Sequence, residues 1–373
     1  MSKIKIKVRE LPFYIGFFVM ILYKFIIVIL GEDWGLKRSV ILIPVLILFL
    51  ERYLLIKKYL IKDCCLMLLG VVIFLTSKDD TFLMMMMILI VSRGIDERRI
   101  ITFWYKIQKV IMVATIILYI ALLLLKSPLA KIQYEEGRTR YYFMFSHPNI
   151  FSIQLLFTVL AFIYLNYDKI SEIKVYVILV ALGIFVFVFP NSKSSAITAV
   201  IIALLFLIEN HSKIVYKYAV KVMVPILAIF ILYFINKAIG IYTAGQGAAT
   251  ISIFSNRFDL AAIALKMYPP KLFGQYVDTI GTNVFWNGKW RMLWIDMAYV
   301  RLFITCGVVG AIIYLYVLIR ENYYEIKNKS YLREIMLVAV LLMGSSEWMS
   351  FSILTSFPLL FIRRSLWNTK ISK

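Results

Sequence analysis

Two arginines, a histidine and an asparagine crowd the segment 138–149, which runs Arg138-Thr-Arg140-Tyr-Tyr-Phe-Met-Phe-Ser-His147-Pro148-Asn149. Guanidinium forks bind phosphate or carboxylate oxygens bidentately. An imidazole takes or gives a proton near neutral pH. His147 is one of only two histidines in the chain. It also precedes a proline, and X-Pro favours extended backbone entering a helix, so His147-Pro148-Asn149 fits a helix start equally well. Proton carrier and loop-ending cap both stand as readings of His147. A second polar set, with Arg257, Asp259, Arg291 and Asp296, lies in the segment 237–297.

The surrounding elements decide where these groups can act. Hydrophobic residues make up 62% of the 373 positions, in runs longer than a globular core needs. A helix crossing hydrocarbon needs ~20 apolar residues, with ~17 as a working minimum. Segments 11–30, 106–125, 150–166, 174–190, 215–236 and 298–319 reach that length. Runs near 39–57, 62–77, 80–92, 194–208, 333–345 and 349–362 are shorter or interrupted. They too are read as helices, because non-helical backbone exposed to lipid is not viable. The expectation is an all-α, polytopic integral membrane protein of about twelve transmembrane helices, with 1–373 as a single membrane domain. The run 11–30 has a basic start but no small-residue cleavage site after it, so it reads as a retained span. Cys64, Cys65 and Cys306 fall in or beside spans and show neither a disulfide framework nor metal-ligand spacing.

A net charge of +21 would suggest nucleic acid in a soluble protein. Here the membrane accounts for it. With the amino terminus inside, the inner segments are 1–10, 51–63, 93–106, 167–174, 209–221, 320–333 and 363–373. They hold 25 of the 42 Lys and Arg residues. That repeats the positive-inside pattern and sets both termini in the cytoplasm. Nucleic acid is excluded as a partner on this pattern.

Two substantial outer segments remain, 126–149 and 237–297. Both stay basic where positive charge is disfavoured: four Lys/Arg against two acids in the first, six against three in the second. Either an anionic ligand or anionic lipid headgroups would retain them. The second segment reads as structured. Ser255 or Asn256 can cap a helix with Asp259 in its first turn and Leu260, Ile263, Ala264 and Met267 at helical spacing, stopped by Pro269 and Pro270. Trp286, Trp290 and Trp294 recur every four residues, one face if that stretch is helical; an interfacial belt is the plainer reading and sugar stacking the other. Lys24, inside the first span, can snorkel or pair with Asp79 or Asp80, and Lys193 can snorkel. Glu347 interrupts the last apolar region, either separating half-length helices or lining a polar cavity.

The chain resembles the polysaccharide polymerases of bacterial surface glycans, the Wzy family, within the broader O-antigen polymerase and ligase group. Arg140-x-x-x-Met144-Phe145-x-His147-Pro148-Asn149 is similar to that family's Arg-x-x-x-Gly-Phe-x-His-Pro-Asn, with Met144 in place of glycine. Ser255-Asn256-Arg257 leading to Pro270-Lys271-Leu272-Phe273-Gly274 is similar to its Gly-Arg followed by Pro-Leu-x-Gly, with Asn256 for glycine. Ile295-Asp296-Met297-Ala298-Tyr299, before a span with Gly307 and Gly310, looks like its Asp-Asn-x-Tyr, with Met297 for asparagine.

The resemblance implies a multi-pass enzyme of the bacterial cytoplasmic membrane, acting at the outer face on oligosaccharide repeat units linked to undecaprenyl pyrophosphate. It would move the growing glycan from its lipid carrier onto the next lipid-linked unit. Arg140 and Arg257 would bind the pyrophosphates, with Arg138, Arg291 and Asn149 in support, because the leaving group develops negative charge. His147 would take the acceptor proton, with Asp296 or Asp259 as the competing base. Nothing resembles an Asp-x-Asp metal site, so the transfer is read as free of metal and cofactor. Expected partners are the lipid-linked oligosaccharide, membrane lipids, a flippase and a chain-length regulator. A related ligase would use the same donor and another acceptor. A flippase or transporter would place its charges along a central cavity and often shows internal repeats.

Overall fold

The computed structural model describes residues 6–30, 38–56, 60–135, 137–221, 257–278, 282–286 and 289–367, with single helical positions at 229, 233 and 236. The chain is mostly helical. In order come α1 (Leu11–Leu30), α2 (Arg38–Ile56), α3 (Ile61–Ser77), α4 (Thr81–Val91), α5 (Glu97–Leu124), α6 (Pro148–Asn166), α7 (Glu172–Val188) and α8 (Lys193–His211). After a further helical stretch at 213–221 come α9 (Arg257–Met267), α10 (Ala298–Arg301), α11 (Gly307–Lys327), α12 (Tyr331–Gly344) and α13 (Arg363–Trp367). Among the described residues, five helical stretches are long and apolar enough to cross a membrane: Val8–Ile29, Glu97–Leu124, Pro148–Lys169, Lys193–His211 and Ala298–Lys327.

Apolar side chains face both inward and outward, as a lipid solvent permits. Ile47, Leu68, Leu124 and Ile184 project from α2, α3, α5 and α7 with more than half their surface exposed. The opposite case is α4: Phe82 to Val91 are all buried. A helix apolar all round belongs in an interior, and at eleven residues α4 is too short to cross hydrocarbon alone. It packs between α2 and α3.

The segments that the charge pattern assigns to one side converge at one end of the molecule. Arg99 pairs with Glu10 at 2.6 Å and Arg93 with Asp63 at 2.6 Å. Arg52 donates to the carbonyls of Arg9 and Arg93. Arg333 bridges Glu97 at 2.8 Å and Glu325 at 3.4 Å, and Arg364 also reaches Glu97. Buried arginines of this kind persist because each has carboxylate or carbonyl partners.

Several expectations need correction. The expected span 349–362 is not an α-helix. It folds as two 3-10 turns, Trp348–Phe351 and Phe357–Ile362, joined by a turn. The Ser350 hydroxyl donates to the carbonyl of Glu347 at 2.8 Å, a local bond of the kind that competes with helix, and Pro358 has no N–H to donate. All of 349–362 is buried, and irregular backbone at membrane depth is tolerated only when protein covers it. The expected span 298–319 does fall in a stretch of crossing length, Ala298–Lys327, which carries a π turn at Leu302–Cys306 before Gly307.

The structure is not purely α. Ile132–Glu135 (β1) pairs antiparallel with Arg138–Tyr141 (β2), and Asn283–Trp286 (β3) with Lys289–Met292 (β4). The tryptophan spacing of four therefore does not trace a helix: Trp286 and Trp290 lie on paired strands. Asn287-Gly288 between the strands is a hairpin signal in the sequence. Helix α9 follows its expectation in extent, but its buried face is Phe258, Ala261, Ala262, Ile263 and Ala264, while Met267 is exposed. The capping expectation at Ser255 and Asn256, and most of the run 215–236, lie outside the described residues.

Candidate functional site

The arginine–histidine motif is held by its aromatic residues. Phe143 stacks on Phe151 of α6 with centroids 4.3 Å apart and meets Tyr119 of α5 at 4.9 Å. Phe145 meets Phe25 of α1 edge-on, and the amide of Ser146 donates to the carbonyl of Val28 at 2.8 Å. The turn between these rings runs through Phe143 at φ +48° and Met144 at φ +70°. That is the left-handed region where a Cβ is unfavourable. Met144 thus occupies a backbone geometry that glycine would adopt freely.

His147 caps α6. Its backbone is extended, Pro148 takes the first helical position, and Nδ1 accepts the amide of Asn149 at 3.2 Å. With that lone pair in use, the neutral ring carries its proton on Nε2. Burial, reinforced by the charges of Arg140 and Arg257, lowers the imidazole from 6.5 to about 3.

Arg140 leaves β2 toward the same helix start. Its Nη2 donates to Asn149 Oδ1 at 2.8 Å and its Nε to the carbonyl of Pro190 at 3.3 Å. Neither of these partners carries charge. Asn149 in turn hydrogen-bonds the carboxylate of Glu347. Glu347 stands just past α12, its amide bonded to Met343 O at 2.8 Å, and opens the 3-10 turn.

Glu347 joins the two halves of the site. Its Oε1 lies 2.7 Å from Arg257 Nη2, and Arg257 Nε lies 3.6 Å from Asp296 Oδ2. Burial first, then the neighbouring Asp296 charge, raises the Glu347 carboxyl from 4.5 to about 7, against the opposing pull of Arg257. Asp296 is raised by burial as well, opposed by Arg257 and Arg301. Burial alone would lower Arg257, but the two carboxylates reverse this and hold it raised. The result is a chain of contacts from Arg140 through Asn149, Glu347 and Arg257 to Asp296. It can fix an anion beside a carboxylate that titrates near neutrality.

The remaining expected residues stand apart. Asp259, raised by burial, is two positions beyond Arg257 on α9, about 200° around the helix; among the described residues no ion pair joins it to the cluster. Arg138 is exposed on β2, opposite Glu135 in the hairpin register. Arg291 sits on β4 opposite Val284, and its side chain lies outside the described residues. Glu347 was absent from the residues assigned to the site from sequence, although an acid interrupting an apolar run was the signal. No group of three or more His, Cys, Asp or Glu side chains suited to a metal ion occurs among the described residues.

A glycine pair locks the segment after α9 onto the π turn. Gly274 at φ +83° and Gly307 at φ +72° pack backbone to backbone, and a Cβ on Gly274 would lie 1.9 Å from Thr305 O. Amides of Val308, Val309 and Gln275 bond to Lys271, Leu272 and Ile304 carbonyls across this contact. Compared with protein-family models, curated proteins and solved structures, the chain gives no match.

Proposed function

We propose that this protein is a membrane glycosyltransferase that polymerises undecaprenyl-pyrophosphate-linked oligosaccharide repeat units at the outer face of the bacterial cytoplasmic membrane. In this reading the chain crosses the membrane repeatedly, 126–149 and 237–297 lie outside, and both termini are cytoplasmic. The observation that carries it is the single cluster in which Arg140 and Asn149 meet Arg257 and Asp296 through Glu347. Such a cluster offers a pyrophosphate its guanidinium forks and an attacking hydroxyl its base.

In the transfer, a hydroxyl of the acceptor sugar attacks the anomeric carbon of the donor glycan. The bond from that carbon to the pyrophosphate oxygen breaks, and undecaprenyl pyrophosphate departs with the electron pair. Glu347, rather than His147, accepts the hydroxyl proton, because His147 spends Nδ1 on its helix cap and carries hydrogen on Nε2. Protonation neutralises Glu347 and loosens its hold on Arg257. Positive charge is then released toward the leaving group as negative charge develops there, the condition for electrostatic catalysis. Arg140, oriented by Asn149, binds the pyrophosphate from the other side.

The test is direct. Purified protein in lipid nanodiscs is supplied with the undecaprenyl-pyrophosphate-linked repeat unit from the cells that make it. A ladder of longer lipid-linked glycans is expected, and Glu347→Gln should slow its growth by ~10²–10⁴-fold, the range of general-base catalysis. No extension by the unaltered protein would overturn the proposal.

A further inference from the structure

Beside the arginine–carboxylate cluster lies a second polar space. A cavity of about 230 Å³ opens between α1, the α3–α4 turn, residues 276–278 and Trp348. Lys24, Lys78 and Arg301 line it opposite Asp79, Asp80 and Asp278, three positive groups against three negative. Arg301 Nη2 lies 3.3 Å from Asp79 Oδ2. The Arg301 guanidinium rests 4.0 Å over the Trp348 ring, and the Lys24 ammonium 4.6 Å from the same ring. Lys24 is thereby accounted for: a charge inside a span is retained where it faces a polar cavity.

The cavity adjoins the cluster along the chain at three places. Ile295 lines it and Asp296 follows; Trp348 lines it and Glu347 precedes; Ile27 lines it and Val28 anchors Ser146, next to His147. Arg301 lines the cavity and its charge also acts on Asp296, so the two polar spaces share one guanidinium.

The chemistry of the lining selects the ligand class. With formal charge summing to zero, the cavity concentrates neither anions nor cations. It is dense in carboxylate acceptors and in ammonium and guanidinium donors. A neutral polyol matches it, since each hydroxyl can donate to a carboxylate and accept from a cation. Pockets for drug-sized ligands measure ~300–1,000 Å³, so this smaller space suits a single sugar ring. We infer that the cavity is a subsite for one neutral sugar residue, held by Asp80, Asp278 and Lys24 with Tyr276 at its mouth. Assigning that sugar to the acceptor glycan rests on the transferase reading; the binding itself does not require catalysis.

Saturation-transfer NMR on the nanodisc protein reads the binding. The probes are glucose, galactose, N-acetylglucosamine and rhamnose, with glucuronate and inorganic pyrophosphate as charged comparisons. At least one neutral sugar should receive saturation and bind about tenfold more weakly in Asp80→Asn, the loss of one charge-assisted hydrogen bond. Tyr276→Ala should weaken it too; Tyr276 is 58% exposed, so its removal leaves the core intact. Arg257→Ala should leave sugar saturation unchanged. No saturation of any neutral sugar, saturation by the charged probes alone, or equal signals in all variants would overturn the subsite. Retained sugar binding without glycan extension would instead count against the transferase reading only.

Discussion

Arg257 and Glu347 stand 2.7 Å apart across a sequence separation of 90 residues, and this contact unites the start of α9 with the turn after α12. Asp296 faces the same guanidinium at 3.6 Å, so Arg257 holds two carboxylates whose mutual repulsion favours a shared proton.

The pH profile should identify the base. Glu347 is raised to about 7 by burial and the neighbouring Asp296 charge. A base must be ionised, so activity should rise as pH climbs through 7 and fall away below it. His147, lowered to about 3, stays neutral across that range and contributes no limb. In His147→Asn the acid limb of kcat/KM should persist, and most activity with it, because asparagine caps a helix well. A limb that vanishes in this variant would return the proton to His147.

Arg140→Ala should abolish glycan extension while protein level and membrane insertion stay normal. Arg140→Lys should recover little, since an ammonium cannot reproduce the planar fork that reaches Asn149 and Pro190. Chain-length assays on membranes, normalised to protein by immunoblot, decide it. Full activity in the alanine variant would remove Arg140 from the site.

Gly274→Ala should disrupt the lock between the post-α9 segment and the π turn, because its Cβ would meet Thr305 O at 1.9 Å. Gly137 provides the comparison. It also has positive φ, at +80°, but nothing lies within 4 Å of a Cβ there. Gly137→Ala should cost only ~1–2 kcal/mol of backbone strain. Melting temperatures in detergent should separate the two clearly, and equal losses would discount the backbone contact.

Met144→Gly should be tolerated. The backbone at φ +70° disfavours a side chain by roughly 1–2 kcal/mol, offset here by the packing of Met144 against the core. Activity at or above that of the unaltered protein is expected. A dead, folded Met144→Gly protein would show that the side chain itself is required.

Orientation is tested by cysteine labelling in a background lacking Cys64, Cys65 and Cys306. Gln133→Cys should react with an impermeant thiol reagent applied to intact cells. Tyr218→Cys, 63% exposed in the segment that the charge pattern assigns to the inside, should react only after the membrane is opened. The reverse pattern would invert the proposed topology.

Reading periodicity and charge along the chain was enough for the helical class, because those signals are local. The apolar runs yielded α1 at 11–30 and α6 within two residues of its start, and the acid at 347 announced itself by interrupting one. Pro148 after His147 was sufficient to mark a helix start, though not to choose between cap and base; the Nδ1 contact to Asn149 supplies the cap. Tertiary structure alone decided which distant groups meet. Arg301 reaches Asp79 across 222 positions, and Glu347 gathers Asn149 and Arg257, because burying the polar face of one segment demands partners from others. The irregular 349–362 backbone likewise exists only because surrounding helices cover it, which no local pattern in an apolar run can reveal.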